Sequence, residues 1–76
     1  DSIDINQCNK NGESPFYIAC SKGNIQLVKL MIKNQLINVN KSNKNGESPL
    51  YLSCYKGFIE IVQILLKNPK IDVTLS

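Results

Sequence analysis

The chain has 76 residues, which is enough for one small domain with a marginal core. Its net charge of +3 at pH 7 comes from nine lysines without any arginine, and lysines spread along the chain disfavour a nucleic-acid partner. No apolar stretch reaches the roughly 18 residues of a membrane span, and the N-terminus lacks the basic and then apolar pattern of a signal peptide.

An internal repeat organises the chain. The pentapeptide Asn-Gly-Glu-Ser-Pro occurs at residues 11–15 and again at residues 45–49. With this offset of 34 residues, segment 11–42 aligns on segment 45–76 without a gap, and 16 of the 32 aligned pairs are identical. Periods of this length are typical of solenoid proteins, in which similar units stack on one another.

Three segments follow from this alignment. Residues 3–6 are in step with residues 37–40, so residues 1–10 are interpreted as the tail of a preceding repeat. One repeat covers residues 11–44 and a second covers residues 45–76. Stacks need polar capping repeats for solubility, and neither end has one. We therefore expect this single domain to be a segment of a longer array, with flanking repeats of the same parent chain as neighbours.

The first predicted element is a short helix that begins at Pro15. Ser14 suits the N-cap because its hydroxyl accepts a hydrogen bond from an amide of the first turn, and proline suits the next position because it has no amide hydrogen. Gly23 is expected to end the helix in the left-handed conformation. The i, i+3, i+4 spacing gives one apolar face, formed by Phe16, Ala19 and Cys20.

A second helix is predicted from about residue 25 to about residue 33. It is apolar around most of its circumference, so it must be covered on two sides. Its apolar residues include Ile25, Val28, Leu30, Met31 and Ile32. An extended arm is predicted over residues 37–46. Apolar and polar residues alternate at its start, and a polar, turn-forming run follows them.

The second repeat encodes the same elements. Ser48 and Pro49 begin its first helix, Gly57 ends it, and an apolar run over residues 59–66 forms its second helix. A unit of two helices and a loop cannot bury a helix that is apolar on two sides unless neighbouring units stack against it. The predicted fold class is therefore all-α, a solenoid of stacked helix-turn-helix repeats with extended hairpin loops.

The three cysteines give no disulfide framework. Cys20 and Cys54 occupy equivalent points of neighbouring repeats, where stacked helices lie about 8–10 Å apart, whereas a disulfide needs Cα atoms within about 7 Å. We expect both thiols to be reduced and buried, which favours a reducing compartment. The predicted location is intracellular, in the cytoplasm.

These features resemble the ankyrin repeat, a family with a period of about 33 residues and the pattern T-P-L-H-x-A at the start of its first helix. Ser-Pro-Phe-Tyr-Ile-Ala at residues 14–19 and Ser-Pro-Leu-Tyr-Leu-Ser at residues 48–53 match this pattern. Gly23 and Gly57 between the helices, and Ile-Asp-Val at residues 71–73, are also ankyrin-like. The resemblance covers almost the whole chain and implies an ankyrin-type solenoid.

The chain departs from the family pattern at one informative position. Tyr17 and Tyr51 stand where the family has a histidine, whose ring usually hydrogen-bonds to the neighbouring loop. A tyrosine hydroxyl is a candidate replacement for that hydrogen bond.

The resemblance implies a protein–protein interaction module, a scaffold without catalysis. Partners of such stacks usually meet the loop tips and the concave inner face of the first helices. The matching positions in this chain are Lys10, Asn11, Glu13, Ser21, Lys22, Lys44, Asn45, Glu47, Tyr55 and Lys56. Tyr55 is informative because its equivalent is a serine, and tyrosine is frequent in binding hot spots. The alternative, an aromatic ring that only rests on its neighbours, stays open.

We expect no catalytic residue, no metal site and no cofactor. The chain has no histidine and no closely spaced cysteine pair, so Cys20 and Cys54 are interpreted as small core residues. Glu13 and Glu47 lie at equivalent corners of separate repeats, without a base nearby. The alternative function is a structural spacer within a larger multidomain protein. The identity of a protein partner does not follow from the sequence.

Overall fold

The computed structural model describes residues 4–74, and its helices follow the repeat. Within that part of the chain the regular secondary structure consists of four α-helices, without any strand. They are α1 (Pro15–Ser21), α2 (Ile25–Ile32), α3 (Pro49–Lys56) and α4 (Ile59–Lys67). The all-α fold class predicted from the sequence is confirmed.

The corners between loops and first helices have the predicted construction. The hydroxyl of Ser14 accepts a hydrogen bond from the amide of Tyr17 at 3.1 Å, and Ser48 accepts the same bond from Tyr51 at 3.1 Å. A proline follows each serine as the first helical residue. Both serines are buried, so each capping bond satisfies a buried hydroxyl together with a free amide of the first helical turn.

Two glycines end the first helices, as predicted. Gly23 has a φ of 67° and Gly57 a φ of 73°, both in the left-handed region that favours glycine. Gly57 is itself the C-cap of α3, whereas Lys22 is the C-cap of α1 and Gly23 follows it. The second helix of each repeat therefore begins after a turn of two or three residues.

The helices form two layers. α1 packs beside α3 and α2 packs beside α4, while within each repeat the second helix packs on the first. The core lies between these layers, and its buried residues are Phe16, Ala19, Cys20, Val28, Ile37, Val39, Leu50, Ile61 and Leu65. Because α1 and α3 lie side by side, equivalent residues of the two repeats form rows across the stack.

The second helices are covered on two sides but also carry exposed apolar residues. α2 ends at Ile32, and Leu30 within it is 65% exposed. In α4, Ile59 is 71% exposed and Leu66 is 53% exposed. Each second helix packs on the first helix of its own repeat and beside the other second helix, so two of its sides are covered. The prediction that these helices are covered on two sides is confirmed within residues 4–74, while the exposed apolar residues lie on a side that no helix of this part of the chain covers.

One cysteine also differs from expectation. The three cysteines are free thiols, with Cys20 buried and Cys8 half-buried, but Cys54 is exposed. The following repeat covers Cys20, whose neighbours include Ser53 of α3. No equivalent element lies over Cys54 within residues 4–74. The prediction of a buried thiol is thus correct for Cys20 and wrong for Cys54.

The arm predicted over residues 37–46 has turns at residues 39–40 and 44–45, and the residues before and between them have no regular secondary structure. Its tip is closed by two backbone hydrogen bonds, from the amide of Asn43 to the carbonyl of Glu47 and from the amide of Gly46 to the carbonyl of Asn43, both at 3.0 Å. The arm is therefore a closed hairpin loop that presents its tip next to the start of α3.

Candidate partner-binding surface

The ten predicted binding residues lie in two rows. The loop row contains Lys10, Asn11, Glu13, Lys44, Asn45 and Glu47 at the two loop tips. The helix-end row contains Ser21, Lys22, Tyr55 and Lys56 at the C-terminal ends of α1 and α3. A hydrogen bond between the two repeats joins the residues within each row.

In the loop row, the two tips touch through their backbones. The amide of Lys44 donates to the carbonyl of Asn11 at 3.2 Å. Gly12, with a φ of 76°, lies at this junction, and a Cβ atom built on it would be 2.6 Å from the backbone nitrogen of Lys44. The glycine is therefore required both by its own conformation and by the close approach of the next loop.

Two asparagines hold the loop tips in shape. The Oδ1 atom of Asn43 accepts hydrogen bonds from the amides of Asn45 at 2.9 Å and Glu47 at 3.0 Å. Its Nδ2 atom donates to the carboxylate of Glu47 at 2.9 Å. Asn9 makes the same three contacts to its own loop, including a bond to Glu13 at 3.1 Å. Both carboxylates are half-buried and serve the loop itself.

The sequence interpretation does not single out Asn9 and Asn43, although it contains the signal. The identical stretch of the two repeats extends to Asn-Lys-Asn-Gly-Glu-Ser-Pro, at residues 9–15 and 43–49. An asparagine side chain that bonds to the backbone two residues later is the pattern of an Asx turn. The identity of residues 9–15 with residues 43–49 therefore indicates that the asparagine at the start of each stretch stabilises the loop.

Tyr17 replaces the family histidine in both position and function. Its hydroxyl accepts a hydrogen bond from Nδ2 of Asn43, in the following loop, at 3.0 Å. The side chain is buried, and burial raises the pKa of the phenol, with the charges of Glu47 and Glu13 acting in the same direction. The hydrogen bond between Tyr17 and the neighbouring loop, expected from the resemblance, is confirmed.

The helix-end row carries the single aromatic residue among the ten. Tyr55 is 79% exposed, and its ring stacks on that of Tyr51 with centroids 6.4 Å apart and an angle of 16° between the planes. Its equivalent, Ser21, is half-buried and donates its hydroxyl to the carbonyl of Ile18 at 2.8 Å. The Nζ atom of Lys56 donates to the carbonyl of Ser21 at 3.2 Å and ties the two helix ends together.

Lysine dominates the charge of this surface. Lys10, Lys22, Lys44 and Lys56 are exposed. The two carboxylates of the loop row are turned toward Asn9 and Asn43 by hydrogen bonds. The surface therefore offers four ammonium groups and an aromatic ring to solvent.

A second pair of asparagines, which belongs to neither row, links the repeats. Asn6 donates to the carbonyl of Leu36 at 2.8 Å and accepts from the amide of Asn38 at 2.8 Å. Asn40 makes the same two bonds to the backbone of residues 70–72, at 2.8 and 2.9 Å. These bonds join each repeat tail to the next, and the sequence interpretation does not identify them.

Three observations concern metal binding, thiol ionisation and membrane crossing. Among residues 4–74, no group of three His, Cys, Asp or Glu side chains is placed to hold a metal ion. Burial raises the pKa of the Cys20 thiol to about 12, against a weaker opposite effect of the Ser53 hydroxyl, so the reactive thiolate is scarce at neutral pH. No helix of this part of the chain has both the length and the apolar character that crossing a membrane requires.

Comparison with known sequences agrees with this architecture. A sequence profile described as ankyrin repeats, in three copies, matches residues 2–76. Among curated proteins the chain has no match. Ankyrin repeats are generally protein–protein interaction modules and are typically non-catalytic. Because the profile matches almost the whole chain, and the helices stack as such repeats imply, the chain belongs to the ankyrin-repeat family.

Proposed function

We propose that the protein binds a protein partner through the loop row and the helix-end row, and that it catalyses no reaction. The observation that carries this proposal is Tyr55. Tyr55 is 79% exposed, and the equivalent residue of the preceding repeat is Ser21. The repeat therefore folds without an aromatic ring at this position. Exposed aromatic rings at the centre of an interface contribute more binding energy than most other side chains.

The contacts divide the ten proposed residues by role. Glu13, Glu47 and Ser21 use their side chains for bonds inside the protein, so they shape the surface. The remaining seven present exposed side chains to a partner: Lys10, Asn11, Lys22, Lys44, Asn45, Tyr55 and Lys56. Lys56 does both, because its Nζ atom also bonds to the backbone of α1.

The proposal extends to the surroundings of the segment. The division into residues 1–10, 11–44 and 45–76 stays a prediction, and we propose that flanking repeats of the same parent chain are neighbours of the stack. We also propose a cytoplasmic location, where an exposed thiol such as that of Cys54 stays reduced. The alternative, a spacer that holds other domains apart, predicts that changes to the two rows have no effect on binding.

A capture experiment with a matched control tests the proposed surface. The tagged protein is compared with a variant that combines Tyr55→Ala with Lys22→Glu and Lys56→Glu. The control variant carries Lys33→Glu and Lys67→Glu. Lys22 is the C-cap of α1 and Lys33 is the C-cap of α2, while Lys56 and Lys67 are the last residues of α3 and α4. The two variants therefore change the net charge and the interaction with the helix dipoles by the same amount.

Proteins captured from native lysate by the unchanged chain are identified, purified and titrated against each variant. The proposal expects binding to be lost in the Tyr55 variant and kept in the control, with equal helix content by circular dichroism in all three. Equal affinity of both variants for the captured protein would reject this surface. Capture of nothing by the unchanged chain would favour the spacer.

A further inference from the structure

The helix-end row carries one lysine from each repeat. Lys22 is the C-cap of α1, and its equivalent Lys56 is the last residue of α3. Both side chains are exposed, although Lys22 has the following repeat beside it and Lys56 has the preceding one. A neighbouring repeat on either side therefore leaves this lysine accessible, so its exposure does not depend on where in a stack the repeat lies.

The charge of these two lysines is not compensated within the described chain. Neither ammonium group forms a salt bridge within residues 4–74, and the Nζ atom of Lys56 donates to the neutral carbonyl of Ser21. On the second helices, by contrast, the Nζ atom of Lys29 lies 3.7 Å from the carboxylate of Glu60. A partner can therefore supply the carboxylates that the helix-end row lacks.

The two rows of the candidate surface differ in their acidic residues. The helix-end row contains none, whereas Glu13 and Glu47 alternate with the lysines of the loop row. These two carboxylates disfavour a partner with an uninterrupted run of negative charge, such as a nucleic acid. The chain also lacks arginine, the side chain best suited to phosphate. The surface therefore suits a protein segment whose negative charges are separated by neutral residues.

The packing of α1 beside α3 sets the separation between equivalent residues of the two repeats. Helices that pack side by side have axes about 8–10 Å apart. A polyproline II segment has three residues per turn and rises about 3.1 Å per residue, so every third residue lies on the same side, about 9 Å from the last. This spacing matches that of lysines on successive repeats. Tyr55, next to Lys56 in sequence, adds an exposed aromatic ring of the kind on which such segments pack.

We propose that the partner presents an extended acidic segment to the helix-end row, with a carboxylate at every third residue. The segment lies along the stack, and its successive carboxylates pair with Lys22 and Lys56. This inference rests on the proposed function, because it names the class of partner for the same surface. Exposed ion pairs are individually weak and are screened by salt, so the binding is of low affinity and depends on ionic strength.

Peptides of matched length provide the test. A fluorescein-labelled peptide of four Glu-Pro-Ser units is titrated with the unchanged chain, and fluorescence anisotropy reports binding. One comparison peptide has glutamine in place of every glutamate, and another has the same composition with its four glutamates contiguous. The spaced peptide should bind, the glutamine peptide should not, and the contiguous peptide should bind about threefold more weakly, because its carboxylates reach one repeat at a time. A rise in sodium chloride from about 0.05 to about 0.5 M should weaken binding about tenfold.

Two charge-reversal variants locate the binding. Lys22→Glu combined with Lys56→Glu should weaken binding of the spaced peptide about tenfold. The control, Lys33→Glu combined with Lys67→Glu on the second helices, should stay within about twofold of the unchanged chain, since it alters the net charge equally. Circular dichroism should show equal helix content in all three proteins. An equal loss in both variants would overturn the proposal, because the peptide would then respond to net charge alone.

Failure of this inference is distinct from failure of the proposed function. If a captured protein loses binding in the Tyr55 variant but the spaced peptide does not bind, the proposed function stands and the acidic segment is rejected. Equal binding of the spaced and glutamine peptides, or of the spaced and contiguous ones, would also reject it. Tighter binding of a twelve-nucleotide thymidine oligomer than of the spaced peptide would assign the row to nucleic acid and overturn the proposal.

Discussion

The Nδ2 atom of Asn43 lies 3.0 Å from the hydroxyl oxygen of Tyr17, and this bond joins the loop of the second repeat to the first helix of the first. Tyr17→Phe removes the acceptor and leaves a donor in a half-buried position, so we expect a loss of about 1 kcal/mol in the free energy of unfolding. Urea denaturation measures the loss.

Tyr51→Phe is the matched control for this prediction, since Tyr51 occupies the equivalent position and its hydroxyl makes no hydrogen bond within residues 4–74. Its free energy of unfolding should stay within about 0.5 kcal/mol of that of the unchanged chain. Equal losses in both variants would show that the bond contributes nothing specific.

Ser53 is a site where a substitution should stabilise the fold. Its side chain is fully buried in α3, and its hydroxyl has no hydrogen-bond partner among the described residues. The equivalent residue is Ala19, which is also buried. Ser53→Ala removes an unsatisfied polar group without a change of shape, so the free energy of unfolding should rise by about 1 kcal/mol. A fall in the urea midpoint would indicate that the Cys20 thiol satisfies this hydroxyl.

The cysteines should differ in their reaction with a thiol reagent. Cys54 is exposed and should react first in the native protein, with half-buried Cys8 reacting more slowly. Cys20 is buried and its pKa is raised to about 12, so at pH 8 about one thiol in ten thousand is ionised there. Mass spectrometry after timed labelling measures the order. Cys20 should be labelled only when urea unfolds the chain, and early labelling would contradict its burial.

Alkaline pH should destabilise the fold through the same thiol. Burial raises the pKa of the Cys20 thiol from 9.0 in the unfolded chain to about 12 in the folded one. The free energy of unfolding therefore keeps its full value below pH 9 and falls as the pH rises from 9 to about 12. The slope is about 1.4 kcal/mol per pH unit, and the raised pKa of Tyr17 adds to it above pH 10. In the Cys20→Ala variant, the free energy of unfolding should fall less steeply with pH, because one proton fewer is released on unfolding. Parallel curves for the two proteins would refute this assignment.

Local chemistry explains which parts of the fold were predictable. Ser14 with Pro15, and Gly23, act on their own neighbourhood, so their positions predict where the first helix begins and ends. The exposure of Cys54 depends on what stacks over it, which the pattern of one repeat does not contain. The hydrogen bonds of Asn40 join residues 30 and 32 positions apart, and a polar residue in a loop has no periodicity that would reveal such a partner.

The candidate surface divides in the same way. The rows themselves follow from the family resemblance, because equivalent residues must line up when units stack. The commitment of Glu13 and Glu47 to their own loops does not follow from it, since an exposed glutamate and a hydrogen-bonded one have the same place in the pattern. The repeat pattern therefore predicts where the candidate surface lies. The hydrogen bonds of the structure indicate which of its side chains are free to contact a partner.

The junction at Gly12 separates the loop tip into fixed and variable positions. With a Cβ atom 2.6 Å from the nitrogen of Lys44, any other residue at this position would push the neighbouring loop away. The side chains of Lys10 and Asn11, by contrast, are exposed and make no hydrogen bond within the described chain. Evolution or a randomised library could therefore exchange these two residues freely and alter partner preference without disturbing the stack.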